Sequence, residues 1–397
     1  MGIESRHPHF VNTQEQWQRI RDSFNGSDSI KSEGESYLPR LGGQSNDEYD
    51  SYKLRAVYYN GIERTVRGLV GAVMRVEPII EVPKKIEALL GDITNTGVSL
   101  NDFISYMLSE QLLMGRQGIL VDRDNERPYL TGYSTEQITN WLDDRIILEE
   151  NYRRINKDDP YQSDYDIQYR ELVKDGNSYI VNVWQKFDAG WQIVEEIVPT
   201  RKGTQLTDIP FIGISGDGFN LSPSIPPMLA LSDTGISMYR TSADLEHGRH
   251  FTALPTPYVT GIDVDSVLKI GSGSAWILPD SSSRAGYLEF SGQGLQALEK
   301  AMEEKRSMMA SLGAQLLQSQ KAGIESADSI RLRQNAEAST LVGVVKTVER
   351  AIKQALITMA EWEGVAGDVV VNLNTDFVDT KINAQDMSSL MGAWQSG

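Results

Sequence analysis

Cysteine is missing altogether from the 397 residues. That removes disulfides, thiol nucleophiles and cysteine-held zinc from consideration. Histidine is scarce as well, with four in the chain: His7, His9, His247 and His250. A Ser-His-Asp triad would have to draw on these, and neither a G-x-S-x-G elbow nor an H-E-x-x-H helix accompanies them. No apolar run approaches the ~20 residues of a membrane span. The first ten residues lack the apolar core of a signal peptide. These absences predict a soluble chain, cytosolic or part of a virion. Basic residues are outnumbered: 38 Lys and Arg face 55 Asp and Glu, for a formal net charge of −17. Such a balance argues against a conventional nucleic-acid binder, whose basic footprint neutralises phosphates. It equally disfavours an anionic membrane surface. It remains compatible with a protein that lets DNA pass without holding it.

What is present is ordinary globular composition, 40% apolar and 23% charged, in a chain long enough for two or three domains. The strongest pattern runs from Ser326 to Gly364. It holds no proline, and Ile330, Leu332, Leu341, Val344, Val345, Val348, Ile352, Ala355, Leu356, Met359 and Trp362 recur in steps of three and four. That spacing predicts one amphipathic helix, roughly 55 Å long at 1.5 Å per residue. Ser326 can cap it, Asp328 suits its first turn and Gly364 can end it. Gly343, near Ser339 and Thr340, is the expected bend.

The remaining segments are read by the same rules. Thr13 is expected to cap a helix over 14–24, and residues 25–50 read as loop. One helix is expected from Asn46 to Met74, a short strand over 76–82, a helix over 84–94 and another from Ser99 or Asn101 to Met114, ended by Gly115. Residues 118–121 and 129–133 read as extended, and 134–142 as a brief helix. From Ile146 to Val198 the apolar period changes to two, with hairpin turns at Asp175-Gly-Asn177 and Asp188-Ala-Gly190. An antiparallel meander over 146–215 follows. Pro226 and Pro227 open a helix over 228–251. Residues 256–291 are β-rich and punctuated by glycine, with strands expected at 264–270, 275–278 and 287–290. A helix then spans Leu295–Leu317, and Gln318–Glu325 is a polar loop before the long helix. Residues 369–373 read as a strand and 386–394 as a last helix.

Two motifs suggest chemistry and are weighed accordingly. Gly292-Gln-Gly-Leu-Gln-Ala297 matches a G-x-G-x-x-A phosphate turn between a strand and a helix. The helix it opens runs on for about 22 residues and leads to no parallel strand, so the βαβ crevice a dinucleotide needs is lacking. A nucleotide-binding enzyme using this turn stays as the rival reading. His247 and His250 share a helix face with Asp244 and Glu246 nearby, a pattern better explained by a packed helix end than by a metal. Neither cofactor nor metal is expected, and catalytic chemistry finds no anchor. The run Glu299–Arg306 mixes signs at helical spacing, as exposed ion-paired faces do.

From Pro223 the order of pieces resembles the core of tailed-bacteriophage portal proteins. Local phrases carry the same resemblance: Ser242-Ala-Asp-Leu-Glu246, Ala253-Leu-Pro-Thr-Pro257, Met308-Met-Ala-Ser-Leu-Gly-Ala-Gln-Leu-Leu317, Ala336-Glu-Ala-Ser-Thr-Leu341 and Asn372-Leu-Asn-Thr-Asp-Phe377. The resemblance implies an α+β subunit. In it, residues 1–222 form an α/β wing, 223–255 a stem helix, 256–291 a small clip and 292–317 a second stem helix. Residues 318–325 become a tunnel loop, 326–364 a long kinked wing helix and 365–397 the rest of the wing or the start of a crown. Members of the family continue towards a crown where this sequence ends at Gln395-Ser-Gly397, so an absent crown and a longer parent chain both stay open.

The resemblance also implies a function. The chain would form a ring of about twelve copies at one capsid vertex, through which double-stranded DNA is packaged and ejected. A terminase large subunit would dock on it, with capsid and head–tail connector proteins as further partners and no enzymatic role of its own. Another virion structural protein, such as a head–tail adaptor, is the nearest alternative. Gln318, Ser319, Gln320, Lys321, Ala322 and Gly323 would line the channel, with Lys321 the best candidate for a light contact with phosphate. Lys300, Glu304 and Arg306 would face the channel or a neighbouring subunit. Acidic walls repeated around a ring would repel DNA and let it slide.

Overall fold

The computed structural model describes residues 2–124, 126–155, 163–216, 218–252, 256–261, 282–288, 293–315 and 340–376. The chain is α+β. In order it runs α1 (Pro8–Asn25), α2 (Ser27–Ser32), α3 (Asn46–Arg55), α4 (Gly61–Met74), β1 (Ile79–Glu81), α5 (Lys84–Glu87) and α6 (Leu100–Met114). Then come β2 (Arg116–Arg123), β3 (Pro128–Ser134), β4 (Ile138–Leu142), β5 (Arg145–Ile155), β6 (Ser163–Asp175), β7 (Ser178–Phe187), β8 (Gly190–Ile197), β9 (Thr200–Arg201), β10 (Thr204–Gln205) and β11 (Phe211–Ser215). The rest of the chain holds α7 (Leu229–Thr252), β12 (Thr256–Thr260), β13 (Arg284–Leu288), α8 (Gln293–Gln315), α9 (Thr340–Glu363) and β14 (Val370–Asn372). Contacts cluster into two units, one of residues 1–24, 61–233 and 311–397, the other of residues 25–60 and 234–310.

In the first unit α9 is the central beam. Leu341, Val344, Val345, Val348, Ala351, Ile352, Ala355, Leu356, Met359 and Trp362 are all buried, on the face the sequence period marked out. At about 1.5–3 kcal/mol per fully buried large apolar side chain, this face is a major source of the unit's stability. It packs on α6, β2, β3 and β11. Its end is a Schellman motif: Gly364 stands at φ +60°, its N–H donates to Glu361 O at 3.0 Å, and Val365 N–H donates to Ala360 O at 3.0 Å. Glu349 Oε2 accepts the Leu373 N–H at 2.8 Å and so fixes the segment leading out of β14, which pairs antiparallel with β1.

Two larger sheets lie in the same unit, and the first of them packs on this helix. One has the order β11-β2-β3 and the other is the meander β4-β5-β6-β7-β8, both antiparallel throughout. The inner face of the meander places Ile146, Leu148, Leu172, Tyr179 and Val181 in one core with Leu120, Tyr133 and Ile138. Gly118 lies under the Phe211 ring: an added Cβ would come within 2.1 Å of Phe211 Cζ, so a side chain there would have to displace the ring.

The second unit is built around α7. Its Ile236, Tyr239 and Ala243 share a buried cluster with Ile30, Tyr37, Leu38, Tyr49, Tyr52, Ala56 and Tyr58.

Several expectations are corrected. Residues 25–50 are not all loop: α2 forms, and Ser45 caps α3 in a reciprocal capping box with Glu48. The expected helix over 46–74 is two helices. Ala56 leaves the helical region at ψ 134°, and the Ser242 hydroxyl accepts the Val57 N–H at 2.9 Å and donates to Val57 O at 2.8 Å. Those bonds take the backbone groups that a continuous helix would pair internally. The helix of residues 14–24 begins earlier, at Pro8, and Thr13 does not cap it. Its hydroxyl bonds back to His9 O at 2.8 Å. Residues 138–142 are a strand, paired with β5. β11 leaves the meander and pairs with β2. Residues 84–94 hold only the single turn α5 and a 3₁₀ turn over Leu90–Asp92.

Candidate functional site: the paired helices and their hairpin

The segment singled out by sequence folds as helix, hairpin, helix. Within the second unit α8 runs antiparallel to α7. Lys305 lies against Ser237 and Thr241, Arg249 bonds Glu299 at 2.9 Å, and Gly248 faces Leu295. A Cβ on Gly248 would fall 2.5 Å from Leu295 Cδ2, so the glycine sets how closely the two helices approach. The chain between them forms the antiparallel pair β12–β13, with Thr256 opposite Leu288 and Thr260 opposite Arg284. Gly261 at φ +78° and the Ser283 hydroxyl, which donates to Gly261 O at 2.8 Å, lie where the described part of the pair stops. Tyr258 and Tyr287 stand exposed on this hairpin, and Phe251 on the last turn of α7.

Lys305 is the main polar tie between the helices. Its ammonium donates to Ser237 O at 3.0 Å and to Thr241 Oγ1 at 2.5 Å. Burial, then the nearby Arg240 charge, hold its pKa below the ordinary lysine value, against the opposing pull of Asp244. Sequence reasoning missed it. The signal was Ser237 and Thr241 one turn apart, which becomes meaningful only once the antiparallel register is known. Arg249 adds a second tie, reaching Glu246 at 2.8 Å and Glu299 at 2.9 Å. Arg240 points elsewhere and donates to Tyr37 O at 2.6 Å.

The sequence-marked residues are placed as follows. Lys300 and Glu304 stand on α8 with side chains 79% and 68% exposed and 3.9 Å apart. A contact that long and open is worth little in water. Arg306 is half-buried and its Nε is buried without a hydrogen-bond partner among the described residues. Gly343 falls in the first turn of α9, where an added Cβ would meet open space. The segment before Thr340, which would form the other arm of a bend at Gly343, lies outside the described residues. Also outside them are Gln318, Ser319, Gln320, Lys321, Ala322 and Gly323, the strands expected at 264–270 and 275–278, and the helix expected at 386–394.

His247 packs its ring against Tyr52 at 5.3 Å and Phe251 at 4.7 Å, and Asp244 accepts the Tyr52 hydroxyl at 2.6 Å. Burial, followed by the Arg55 charge, lowers the His247 pKa. His250 reaches the edge of Phe251. The pair thus packs among aromatic rings at the end of α7; among the described residues no group of three metal-ligating side chains is found. At the glycine turn, α8 begins at Gln293, while Gly292 is outside the described residues. The strand before the turn, β13, has only the antiparallel neighbour β12 among the described residues. The described part therefore contains no βαβ unit there.

A family model described as "Domain of unknown function (DUF4055)" matches residues 227–363, a span from the start of α7 to the end of α9. No curated protein matches the chain. Among solved structures it is similar to the neck of an empty GTA particle computed with C6 symmetry, at 13% identity and TM-score 0.42, covering 84% of this chain and 85% of that one. It is also similar to a chain from the virion of a native gene transfer agent particle, at 13% identity and TM-score 0.44, covering 94% of each chain. A third is from the neck of a native GTA particle computed with C12 symmetry, at 12% identity and TM-score 0.44, covering 93% and 95%. At these TM-scores the likeness carries no weight of its own.

Proposed function

We propose that this chain is a structural subunit of a phage-like virion and, more specifically, a portal protein. Copies would close into a ring of about twelve, and double-stranded DNA would be packaged and ejected through the channel. The observation that carries the reading is the antiparallel pair α7–α8 with β12–β13 between them in sequence, followed later in the chain by the apolar helix α9. A stem of two helices around a small clip, then a wing helix, is the order that the resemblance to portal proteins predicts. The acidic balance supports it, since repeated acidic walls repel phosphate. Residues 318–325 would be the tunnel loop, with Lys321 touching DNA, and Gly343 the bend of the wing helix. Lys300, Glu304 and Arg306 would meet a neighbouring subunit or the channel. The hairpin end would receive the terminase large subunit during packaging, and capsid and head–tail connector proteins would attach around the ring. The chemistry of packaging would belong to the separate motor.

The test is electron microscopy of top views, with native mass spectrometry, on the purified full chain. Closed rings of one rotational order are expected. A protein that stays monomeric or dimeric under assembly-permissive conditions, with scaffold present, sinks the proposal.

A further inference from the structure

The N-terminal residues 4–7 lie across the five-stranded sheet as a strap. The Trp191 indole N–H of β8 donates to Glu4. Asn140 Nδ2 of β4 donates to Ser5 O at 2.8 Å. Arg6 lies 3.9 Å from Glu149 of β5, and the His7 N–H donates to Thr139 O at 3.0 Å. β4 is an edge of its sheet, and the strap takes up hydrogen-bonding groups on that edge that would otherwise be open.

His7 is the fastening. It directly precedes Pro8, the first residue of α1, and its carbonyl accepts the first helical bond, from Val11 N–H at 3.1 Å. That makes it the N-cap. Its side chain does the capping: Nδ1 accepts the His9 N–H at 3.1 Å. The same ring stacks on Trp141 with centroids 3.9 Å apart and planes 19° off parallel. The Arg116 guanidinium sits 4.2 Å from that indole centroid. Two groups so close to one centroid occupy opposite faces, so the indole is held between an imidazole and a cation.

We propose that His7 is a pH-sensitive latch: neutral, it caps α1 and holds the strap on the sheet; protonated, it lets the strap go. Three features of the geometry disfavour the charged form. An Nδ1 that carries a proton cannot accept the His9 N–H. A cation at a helix N-terminus opposes the macrodipole. Arg116 from β2 places positive charge near the ring, and the His9 ring of α1 lies 5.0 Å from it. The carboxylates touching the strap are engaged: Glu149 by Arg6 and by the Tyr169 hydroxyl at 3.1 Å, and Glu4 by Trp191. In keeping with this, the His7 pKa is lowered, first by burial and then by His9 and Arg116. A folded-state pKa below the ordinary imidazole value of about 6.5 gives stability that is complete above that value and lost as pH falls through the folded pKa. Release would uncover the β4 edge and the Trp191–Tyr169 aromatic pair, whose rings lie 4.8 Å apart.

Amide hydrogen exchange and histidine NMR on the full chain, from about pH 8 to about pH 5, test this. The reporters are the His7 and His9 amides. Their protection, corrected for intrinsic exchange, is expected to fall by up to about tenfold per pH unit as the His7 ring titrates. His7→Asn keeps a capping acceptor that does not titrate, and its strap protection is expected to be flat across the range. His9→Asn keeps the backbone N–H that Nδ1 accepts and is expected to keep the transition, moved to somewhat higher pH because one neighbour that lowers the His7 pKa is gone. Flat protection in the wild type overturns the latch. So does an unchanged pH profile in His7→Asn, or a transition that disappears with His9.

Discussion

Arg116 offers the sharpest test of how the first unit is held together. Its side chain is fully buried and, among the described residues, bonds no carboxylate. Instead the guanidinium donates to Leu221 O at 2.7 Å, Thr135 O at 2.9 Å, Thr135 Oγ1 at 3.1 Å and Ile138 O at 3.3 Å. Burial pushes its pKa down to about 9, which still leaves it charged at neutral pH. Two effects compete in Arg116→Met. Removing a buried charge relieves a desolvation cost of several kcal/mol, and a hydrophobic replacement can be neutral or better. Against that, three main-chain carbonyls lose their donor in a site methionine cannot satisfy, at about 1–2 kcal/mol each. The indole stack of Trp141 is lost as well. The carbonyls stay where the fold puts them, so the second effect is expected to win, with a net loss of about 2–4 kcal/mol. Arg116→Lys is expected to lose at least as much, because it keeps the buried charge without the planar fork that reaches three separate carbonyls. A chain of two units need not unfold in one step. The assay is therefore native-state exchange of the β2 amides as denaturant is raised. An Arg116→Met protein with wild-type protection in β2 would refute the reasoning, and would show that the guanidinium is tolerated rather than needed.

Two smaller perturbations probe the elements around which the proposed function is built. Gly364→Ala puts a Cβ on a residue at φ +60°, and within 2.1 Å of the Lys202 side chain. The lysine can swing away, so the cost is that of the left-handed backbone, about 1 kcal/mol, read as faster exchange in the last turn of α9. Lys305→Met removes both bonds to α7 but leaves Thr241 donating to Ser237 O at 3.1 Å, so a loss of about 1–2 kcal/mol is expected in the α7–α8 pair. Because the Lys305 pKa is held below its ordinary value, the unfolded chain binds more protons between the two values. Wild-type protection should thus rise with pH through that alkaline window, and Lys305→Met should lack the rise; equal slopes in the two proteins would refute it.

Legibility in the sequence followed the reach of the interactions. The buried face of α9, the cap at Ser99 and the stop at Gly115 all appear where local pattern put them, because each is decided within a turn or two of helix. The hairpins of the meander did as well, since their turn chemistry is local. What the sequence hid depended on distant partners. The break after Ala56 rests on Ser242, nearly two hundred positions away. The β11 strand follows the meander in sequence but pairs with β2, where Gly118 makes room for Phe211. Residues 138–142 carry an apolar pattern that suits a short helix or a buried strand equally, and the β5 edge decides between them. Of the sequence-marked site, Lys300 and Glu304 do stand in the open on α8, while Lys305 between them and Arg306 is turned inward. A charge run read from sequence does not tell which of its members the partner helix will take.

That division of charge bears on the proposed channel. On α7 and α8 the basic side chains are largely committed to bonds within the unit. Arg240 holds a backbone carbonyl, Arg249 holds Glu246 and Glu299, and Lys305 holds Ser237 and Thr241. Glu303 and Glu304 are left exposed, with Lys300 as a loosely held neighbour. A helix pair with three of its cations committed to structure and with Glu303 and Glu304 in the open presents weak attraction to phosphate, without needing an uninterrupted acidic surface. On that reasoning a DNA contact would not come from the stem, and the lysine best placed by sequence to make one is Lys321, in the loop proposed to follow α8. Charge reversal separates the two. In closed rings, Lys321→Glu should reduce the salt-sensitive association with duplex DNA, whereas Lys300→Glu should leave it nearly unchanged, because a stem cation beside Glu304 is already screened by its neighbour. An effect of Lys300→Glu as large as that of Lys321→Glu would move the contact to the helices and overturn the division argued for them.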